Sequence, residues 1–425
     1  MICASTFLSH SSVDKELVEA VARELGKRGI ISWLDKKELS PGVSLRESLE
    51  NAIREQVTVT LFLSEEAVKS PWVKEELKVA LELDENGERK DSIIPLYLGN
   101  PLELINMSDV LRSKWLHADG DRVDRLGVIV KTGKDSSASA KEISEGIARQ
   151  IYKTLGISRK QELVICIDQR GEGTRRGIPK DIPQNIDKLE APALVFRPDL
   201  GDRTQGDTLP ILEWEDMSQT MKWALSEALE GVRWADPKKI RILGASQLGF
   251  PFVLGQYFNR STSAHLFCTN PDGIVFNNQD QRRDCPPEGG NKNCEEPSIS
   301  AIPKGKHLDA ISLLLSGDYL LPKVQRYLAA VEDSPPLVWV KSERFTDNQQ
   351  VMDYVSNVVA LLKRFSEEHG VRTVNLYCGL PFHVLPLLAA NLLNVIDNVI
   401  FMEYRKDLQN TGAKDEDMYI ALPTK

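Results

Sequence analysis

From Cys3 to Leu98, short apolar runs alternate with amphipathic helical patterns, and no other feature restricts the possible folds so strongly. The candidate strands are Cys3–Leu8, Ile30–Leu34, Val57–Leu63 and Ile93–Leu98. This alternation is typical of a parallel sheet covered by helices. We therefore predict an α/β domain whose ligand site lies at the carboxyl ends of the strands, where the polar loop Ser9–Ser12 follows the first strand.

The end of this domain is predicted from a change in composition. Residues 131–140 are rich in Gly, Ser and Lys and lack apolar periodicity, which indicates a loop. A helix is predicted next, over residues 141–155. We therefore predict a first domain over residues 1–158 and a second over residues 159–425.

The second domain contains an internal duplication. The segments Lys239–Leu248 and Thr373–Phe382 each combine an apolar strand, a turn of small residues and the start of a helix. Similar strand and helix patterns flank both segments. We therefore predict two similar α/β halves, over residues 159–300 and 301–425, with a helical stretch over residues 307–327 between them.

Composition excludes several classes of protein. The 41% apolar and 27% charged fractions are those of globular proteins, and no run approaches the ~20 apolar residues of a membrane span. The sequence does not begin with a basic segment and an apolar run, so we expect no secretory signal and a cytoplasmic location. The net charge of −9 argues against binding to long nucleic acid, which depends on many phosphate contacts. It permits a small anionic ligand in a local basic pocket.

A helix is predicted to begin at Ser70, because serine is a favoured N-cap and Pro71 suits the first helical position. Trp72 and Glu76 are four residues apart and share one face of this helix. The neighbouring face carries an apolar stripe that we expect to pack on the sheet, formed by Val73, Leu77, Ala80 and Leu81. The face with Trp72 and Glu76 is therefore predicted to line a cleft.

Three segments, Phe7–Ser12, Trp33–Leu45 and Ser70–Leu77, resemble the bacterial TIR domain family and occur in its order. The resemblance implies a flavodoxin-like parallel sheet and cleavage of the bond between nicotinamide and ribose in NAD+. It implies that Glu76 is the catalytic carboxylate, ahead of its neighbour Glu75. The alternative is that Glu76 is an ordinary solvated helix residue.

The implied chemistry suits a single carboxylate. Nicotinamide leaves as a neutral group while the ribose becomes oxocarbenium-like, as the sugar does in glycoside hydrolysis. Glu76 would stabilise that cation and orient the incoming water. NAD+ is then the substrate, and we expect no cofactor and no metal. The other candidate residues of the substrate pocket, chosen by position, are Phe7, Ser9, Trp33, Asp35 and Trp72. Trp33 is equally compatible with a place in the core.

The loop from Lys36 to Ser44 resembles the TIR loop that mediates assembly between domains, where the loop of one copy often completes the active site of the next. The candidate assembly residues are Lys36, Lys37, Glu38, Leu39, Pro41 and Gly42. Pro41 and Gly42 favour a turn. The charges of this loop are also compatible with a solvated surface.

The duplicated region resembles the SAVED domain, a fused pair of CARF-like units that bind cyclic oligonucleotides in bacterial anti-phage systems. The resemblance rests on the turn Leu376–His383, the Leu/Ala-rich helix after it and the strand end Phe401–Tyr404. A turn before a helix presents backbone N–H groups and the positive end of the helix dipole, which favours phosphate. The candidate ligand residues are Arg197, Ser246, Gln247, Lys341, Leu380, Pro381, Phe382 and His383. Phe382 is also compatible with a core position and Arg197 with a surface charge.

A zinc site is a weaker alternative within the insert Asn277–Pro297. Cys285 and Cys294 would join Cys268 and His265 there. These spacings do not match known zinc patterns, so we predict a polar loop and no metal.

Together these features predict an immune effector in which a cyclic oligonucleotide, by resemblance a cyclic tri-adenylate, drives head-to-tail assembly of TIR domains and NAD+ cleavage. An interface that does not close on itself gives filaments. The alternatives are a non-enzymatic TIR scaffold that recruits a partner, and a second region that binds protein rather than nucleotide.

Overall fold

The computed structural model describes residues 1–34, 45–86, 92–116, 127–129, 136–168, 188–197, 209–232, 238–259, 264–270, 274–278, 298–299, 307–342, 344–392, 395–405, 408 and 413–422. These residues contain three sheets, one with five strands and two with six strands each.

The first part of the chain forms a parallel sheet covered by helices. The strands of this sheet are β2 (Ser5–Ser9), β3 (Ile31–Trp33), β4 (Thr58–Leu63), β5 (Ile93–Tyr97) and β6 (Val128–Ile129), whereas the preceding β1 (Ile2–Cys3) belongs to another sheet. The helices of this part are α1 (Lys15–Lys27), α2 (Leu45–Glu55), α3 (Glu65–Lys69), α4 (Pro71–Glu85), α5 (Pro101–Asn106), α6 (Asp109–Trp115) and α7 (Ser136–Leu155). Strands β2 to β6 are parallel and lie in the order β3-β2-β4-β5-β6. The predicted parallel α/β domain is confirmed.

The two faces of this sheet pack against different helices. Successive side chains of a strand point to opposite faces. Leu8 therefore packs in one core with Val21 of α1 and Ile147 of α7, whereas Phe7 packs in another with Leu49 of α2 and Leu77 of α4. All six residues of β4 are buried, because helices cover both faces of the sheet.

The second region consists of two sheets with the same strand order. The strands of the first half are β7 (Glu162–Asp168), β8 (Pro192–Phe196), β9 (Lys239–Ala245), β10 (His265–Thr269) and β11 (Val275–Asn277). Those of the second half are β12 (Ser298–Ile299), β13 (Ala310–Ser316), β14 (Leu337–Lys341), β15 (Thr373–Cys378), β16 (Asn398–Tyr404) and β17 (Tyr419–Leu422). The helices are α8 (Ile211–Ala228), α9 (Gly249–Tyr257), α10 (Leu321–Ala330), α11 (Asn348–His369) and α12 (Leu385–Leu392).

The sheet orders are β1-β8-β7-β9-β10-β11 and β12-β14-β13-β15-β16-β17. In each half the four central strands are parallel and the last strand is antiparallel. The predicted duplication is therefore confirmed by the topology.

The helical stretch predicted over residues 307–327 is wrong. Residues Ala310–Ser316 form β13, a strand in the centre of the second sheet, and α10 begins only at Leu321. Six of the seven residues of β13 are buried. A short, continuously apolar run does not distinguish a buried strand from a buried helix.

The first predicted strand is divided between two sheets. Ile2–Cys3 pairs with β8 of the second region, and the next strand begins at Ser5. Ala4 lies between them, and its N–H donates to the Ala193 carbonyl at 2.8 Å while its own carbonyl accepts from Ile31 N–H at 2.9 Å. One residue thus connects both sheets. The boundary at residue 158 stays a prediction, but the start of the chain contributes to the second region's sheet.

The two halves of the second region meet through α9 and α12. A Cβ atom on Gly255 of α9 would lie only 2.8 Å from the Cβ atom of Ala389 on α12 and would also overlap the Pro386 carbonyl. Phe252 packs on Phe401 across the same contact, with ring centres 5.3 Å apart. The halves therefore share one continuous core, and its closest approach requires a glycine.

A buried arginine joins the first sheet's helices to the second region. Arg28, just after α1, is 1% exposed. Its guanidinium donates to Glu24 Oε2 at 2.6 Å and lies 3.4 Å from Glu145 Oε1 on α7. It also lies 5.2 Å from the ring centre of Trp223 on α8, and the Tyr152 hydroxyl donates to the Arg28 carbonyl at 2.5 Å. We refer to Arg28, Glu145, Tyr152 and Trp223 as the Arg28 junction.

Two further ion pairs lie beside the Arg28 junction. Lys27 Nζ is 2.7 Å from Asp216 Oδ2 on α8. Arg149 on α7 is 2.9 Å from Glu227 on α8, and its guanidinium lies over the Trp223 ring, also at 5.2 Å. The contact between the two regions is therefore charged and aromatic as well as apolar.

Among the helices that the structure describes, none combines the length and the apolar character that crossing a bilayer requires.

Replacing Arg28 with Met is expected to lower the free energy of unfolding by about 2 kcal/mol, because the charged hydrogen bonds to Glu24 and Glu145 are lost while Glu24 keeps Lys27 Nζ at 2.8 Å. Urea unfolding measures the change. Arg112→Met is the control, since Arg112 is exposed on α6 and pairs with the exposed Asp109 of the same helix at 2.7 Å; a change below about 0.5 kcal/mol is expected. Equal effects of the two substitutions would contradict the importance of the Arg28 junction.

Candidate functional site

Helix α4 begins where the sequence predicts and presents Trp72 and Glu76 to a cleft. Ser70 caps the helix by accepting a hydrogen bond from Val73 N–H at 3.4 Å, and Pro71 occupies the first turn. The predicted apolar stripe, Val73, Leu77, Ala80 and Leu81, is buried. The cap and the stripe together fix the face of the helix that carries Glu76.

The Glu76 carboxylate is held from behind by a serine. Glu76 is 5% exposed, and its Oε2 accepts a hydrogen bond of 2.5 Å from the Ser9 hydroxyl. Ser9 is the last residue of β2 and is 1% exposed. A buried carboxylate is costly unless hydrogen bonds satisfy it. Ser9 supplies such a bond from the sheet.

The cleft in front of Glu76 has aromatic walls and a volume of about 230 Å³. Its lining residues are Phe7, Leu8, His10, Ser12, Lys15, Trp33, Leu34, Leu49, Trp72 and Glu76. The rings of Phe7 and Trp33 are stacked, with centres 4.7 Å apart and planes 17° apart. Glu76 is the single carboxylate among these lining residues. The arrangement suits a flat ring held beside a developing positive charge.

The carboxylate of Asp14 anchors the loop Ser9–Ser12 at the edge of the cleft through hydrogen bonds. Asp14 Oδ2 accepts hydrogen bonds of 2.6 Å from both Ser11 and Ser64. Ser64 also caps α3, because its hydroxyl accepts from Ala67 N–H at 3.1 Å. His10 Nδ1 lies 3.0 Å from the Leu8 carbonyl. The loop is thereby anchored to the helix that precedes α4.

The cleft brings together four of the residues predicted for the catalytic and substrate site. Phe7, Trp33, Trp72 and Glu76 line it, whereas Ser9 lies behind Glu76. Trp33 lines the cleft and also packs against the core, whereas its contact with substrate stays a prediction. The predicted residues that lie outside the described part of the chain are Asp35, Lys36, Lys37, Glu38, Leu39, Pro41 and Gly42.

Six lining residues were not among the predicted site residues: Leu8, His10, Ser12, Lys15, Leu34 and Leu49. The position of the loop at the end of β2 was a signal for His10 and Ser12. Lys15 and Leu49 belong to α1 and α2, and only the tertiary packing of these helices brings them to the cleft.

In the second region, both predicted cations lie at the ends of equivalent strands and contact acids at the ends of the neighbouring strands. Arg197 follows β8, and its Nε lies 3.5 Å from Asp168 Oδ2 at the end of β7. Lys341 ends β14, and its Nζ lies 3.2 Å from Asp318 Oδ2, just after β13. The two pairs occupy corresponding places in the two halves.

The first predicted phosphate turn already receives a carboxylate from the other half. Gly249 N–H, at the start of α9, donates to Glu403 Oε2 at 3.3 Å. The Ser246 hydroxyl donates to the Gln247 carbonyl at 3.0 Å within the same turn. The positive end of this helix therefore faces a negative charge from β16.

The second predicted turn is more deeply packed than its sequence suggests. Leu380 and His383 are buried, Phe382 is half-buried against the core, and Pro381 is exposed. The His383 ring stacks on Phe276 with centres 4.5 Å apart and planes 17° apart. In this state of the protein one face of the histidine ring is covered by phenylalanine.

Sequence reasoning missed the three acids Asp168, Asp318 and Glu403, together with Tyr319. The Tyr319 ring is 65% exposed, and its hydroxyl donates to the Gly379 carbonyl at 3.3 Å beside the second turn. Comparison of the strand ends in the two halves could have identified Asp168 as a partner of Arg197. The contact of Glu403 with the opposite half depends on how the halves pack, which the local sequence does not reveal.

The alternative zinc set is only partly within the described residues. Cys285 and Cys294 lie outside them. Cys268 and His265 are three residues apart on β10 and point to opposite faces, and burial raises the pKa of the Cys268 thiol. Within the ranges that the structure describes, no group of three or more metal-ligating side chains occurs.

Comparisons with known proteins support the assignment of the first domain. Residues 6–126 match the TIR domain family, so this part of the chain is a TIR domain, as its sequence motifs predict. Two similar proteins are the 2' cyclic ADP-D-ribose synthase AbTIR of Acinetobacter baumannii and the NAD(+) hydrolase PdTIR of Paracoccus denitrificans. Each is 33% identical to this chain over 92 residues, which are 21% of this chain. The match covers only about a third of these relatives, 34% and 30% of their lengths.

Among solved structures, the chain is similar to the Cap4 SAVED/CARF-domain containing receptor of Acinetobacter baumannii with the cyclic trinucleotide 2'3'3'-cAAA. The TM-score is 0.43 and the identity is 11%, over 91% of this chain and 86% of that chain.

Replacing Ser70 with Ala is expected to lower the free energy of unfolding by about 1 kcal/mol, because the first turn of α4 loses its cap. Thermal or urea unfolding measures the change. The control is Ser113→Ala, since the exposed Ser113 on α6 donates only to the Val110 carbonyl in its own helix; a change below about 0.5 kcal/mol is expected. An unchanged stability of Ser70→Ala would contradict the role of this cap.

Proposed function

We propose that the TIR domain cleaves the bond between nicotinamide and ribose in NAD+, with Glu76 as the catalytic carboxylate. The observation that carries this proposal is a buried carboxylate at the base of an aromatic cleft, held in place by the Ser9 hydroxyl. The names of the two relatives, a hydrolase and a cyclic ADP-ribose synthase, agree with it. Hydrolysis of NAD+ and its conversion to a cyclic ADP-ribose both begin with the departure of nicotinamide.

In the proposed reaction, the Trp33 ring, which stacks on the buried Phe7 ring, binds a flat ring of the substrate. Nicotinamide leaves with the electrons of the glycosidic bond and becomes neutral, while the ribose carbon gains positive charge. The Glu76 carboxylate lies beside that carbon and stabilises the charge. Glu76 then accepts a proton from the water or hydroxyl that attacks the same carbon.

We also propose that a second copy of the chain completes the substrate site. Pockets for small molecules usually measure about 300–1,000 Å³, whereas the cleft measures about 230 Å³, which is small for a dinucleotide. Leu34 and Leu49 line the cleft on either side of the predicted assembly loop in the sequence. Head-to-tail contact through that loop would extend the cleft and link activity to filament formation.

For the second region we propose a cyclic oligonucleotide ligand, with a cyclic tri-adenylate as the first candidate. The support is the pair of equivalent cations, Arg197 and Lys341, each at the end of a strand that lies two strand positions from the one leading into its half's helix-starting turn. The exposed ring of Tyr319 adds a surface on which a base can stack. Ligand binding would favour the assembled state, so that NAD+ depletion follows the signal and ends infection by abortive cell death.

Glu76→Gln is expected to lower the rate of nicotinamide release by at least about 100-fold, because the amide cannot stabilise the cation or accept the proton. The assay incubates purified protein with NAD+ and a panel of cyclic di-, tri- and tetranucleotides. Glu75→Gln is the matched control, since Glu75 is one position away on α4 and contacts Lys78 at 3.4 Å; it should keep nearly full activity.

Wild-type release of nicotinamide with one ligand, lost in Glu76→Gln, would support the proposal. Absence of release under every condition, despite clear ligand binding, would support the alternative of a non-enzymatic TIR scaffold that recruits a partner.

A cyclic trinucleotide is expected to stabilise the protein against heat, by about 2.7 kcal/mol at a ligand concentration about 100 times Kd. Arg197→Gln and Lys341→Gln should each weaken binding about tenfold or more, because each removes a charge-assisted contact to phosphate. Lys363→Gln is the control, because Lys363 is exposed on α11 beside Glu367. Equal stabilisation by linear trinucleotides, or none by any cyclic ligand, would contradict the ligand class.

A further inference from the structure

We infer that Ser9 is a positioning residue for Glu76: its hydroxyl, at the end of β2, sets the orientation of the catalytic carboxylate and favours its ionised form. This inference rests on the proposed NAD+ cleavage. It differs from the expectation that Ser9 binds substrate, and it concerns a contact between a strand and a helix that are far apart in the sequence.

The geometry of the hydrogen bond supports this role. The distance from Ser9 Oγ to Glu76 Oε2 is 2.5 Å, within the range of short O–H···O⁻ hydrogen bonds, about 2.5–2.7 Å. A hydroxyl has a single proton to donate, and Oε2 receives it. Such a bond stabilises the charged form of the carboxyl group relative to its neutral form.

The position of Ser9 separates this role from direct contact with substrate. Ser9 is 1% exposed, and its neighbours Leu8 and His10 line the cleft while Ser9 does not. Ser9 Oγ is therefore screened from substrate by the carboxylate that it contacts. The same screening argues against Ser9 as a nucleophile activated by Glu76.

The elements on both sides of the bond are fixed independently of any ligand. Ser9 pairs in register with Leu61 of β4, and a serine side chain has one torsion that places its oxygen. Glu76 lies in the second turn of α4, whose start is fixed by the Ser70 cap. The carboxylate is thus placed before substrate arrives, and misplacement of a catalytic group by about 1 Å can lower a rate about 100-fold.

The test uses the full chain under the ligand conditions that activate the wild-type protein. Ser9→Ala removes the donor, and Ser9→Thr keeps a hydroxyl at the same position. The matched control is Thr6→Val, which removes a buried hydroxyl from the same strand. Thr6 Oγ1 lies 2.9 Å from Thr60 Oγ1 of β4, so its hydroxyl is directed to a neighbouring strand. Thermal unfolding of each variant sets an assay temperature at which all are folded.

For Ser9→Ala we expect kcat for nicotinamide release to fall about 10- to 100-fold, with KM for NAD+ changed less than about threefold. The acid limb of its pH–rate profile should move to higher pH, because the ionised carboxylate has lost a donor. Ser9→Thr should restore most of the rate, and Thr6→Val should keep both the rate and the profile.

Several results would overturn this role. A wild-type rate and profile in Ser9→Ala would show that the bond is not used, and a change confined to KM would indicate direct substrate contact. An equal loss in Thr6→Val would indicate a general packing effect. If the wild-type protein, folded and bound to ligand, released no nicotinamide, the proposed function itself would fail and this role with it.

Discussion

The backbone of residues 2–9 belongs to two sheets, and the placement of the cleft depends on this shared strand. Ile2 and Ala4 donate to carbonyls beside β8 of the second region, while Ala4 also accepts from Ile31 of the TIR sheet. β2 begins one residue after Ala4 and ends at Ser9, which contacts Glu76. At about 3.3 Å per residue, the hydrogen bond to the Glu76 carboxylate lies about 17 Å along one strand from the second region's sheet. A shift of that sheet relative to the TIR sheet must therefore strain β2 or move its end.

The shared strand is reinforced by the Arg28 junction. The two terminal nitrogens of the buried guanidinium contact Glu24 of α1 and Glu145 of α7, and the Trp223 ring of α8 lies 5.2 Å away, whereas Nε has no hydrogen-bond partner among the described residues. The TIR domain and the second region are therefore not separate bodies on a flexible linker. Helix α7 lies between α1 and α8 and belongs to the same core as both. Relative movement of the regions has to break charged and aromatic contacts together, which favours a small number of discrete arrangements over continuous motion.

Local sequence signals predicted the elements that depend on local chemistry. The strands of the TIR sheet, the α4 helix with its Ser70 cap and the duplication all follow from periodicity, capping and repetition. The division of the first strand was not predicted, because residues 2–9 contain no turn signal and only the pairing of Ile2–Cys3 with β8 separates them from Ser5–Ser9. β13 was mistaken for a helix for a related reason, since burial on both faces removes the alternation that identifies a strand. The Ser9–Glu76 bond was also missed, because it joins residues 67 positions apart in the chain.

Carboxylates already contact the groups of the second region that are candidates to bind phosphate, so a ligand has to displace them. Asp168 and Asp318 lie beside the cations Arg197 and Lys341, and Glu403 lies at the start of α9. Under the proposed function, a phosphate at any one of these places replaces an existing carboxylate contact, so the net gain at each place is small. A linear or short anion that reaches only one half therefore gains little binding free energy. A ring that engages the turns of both halves gains from each at once, because the second contact is made at high effective concentration. The charge pairs thereby favour ligands that contact both halves, and the same requirement ties binding to a defined arrangement of the two halves.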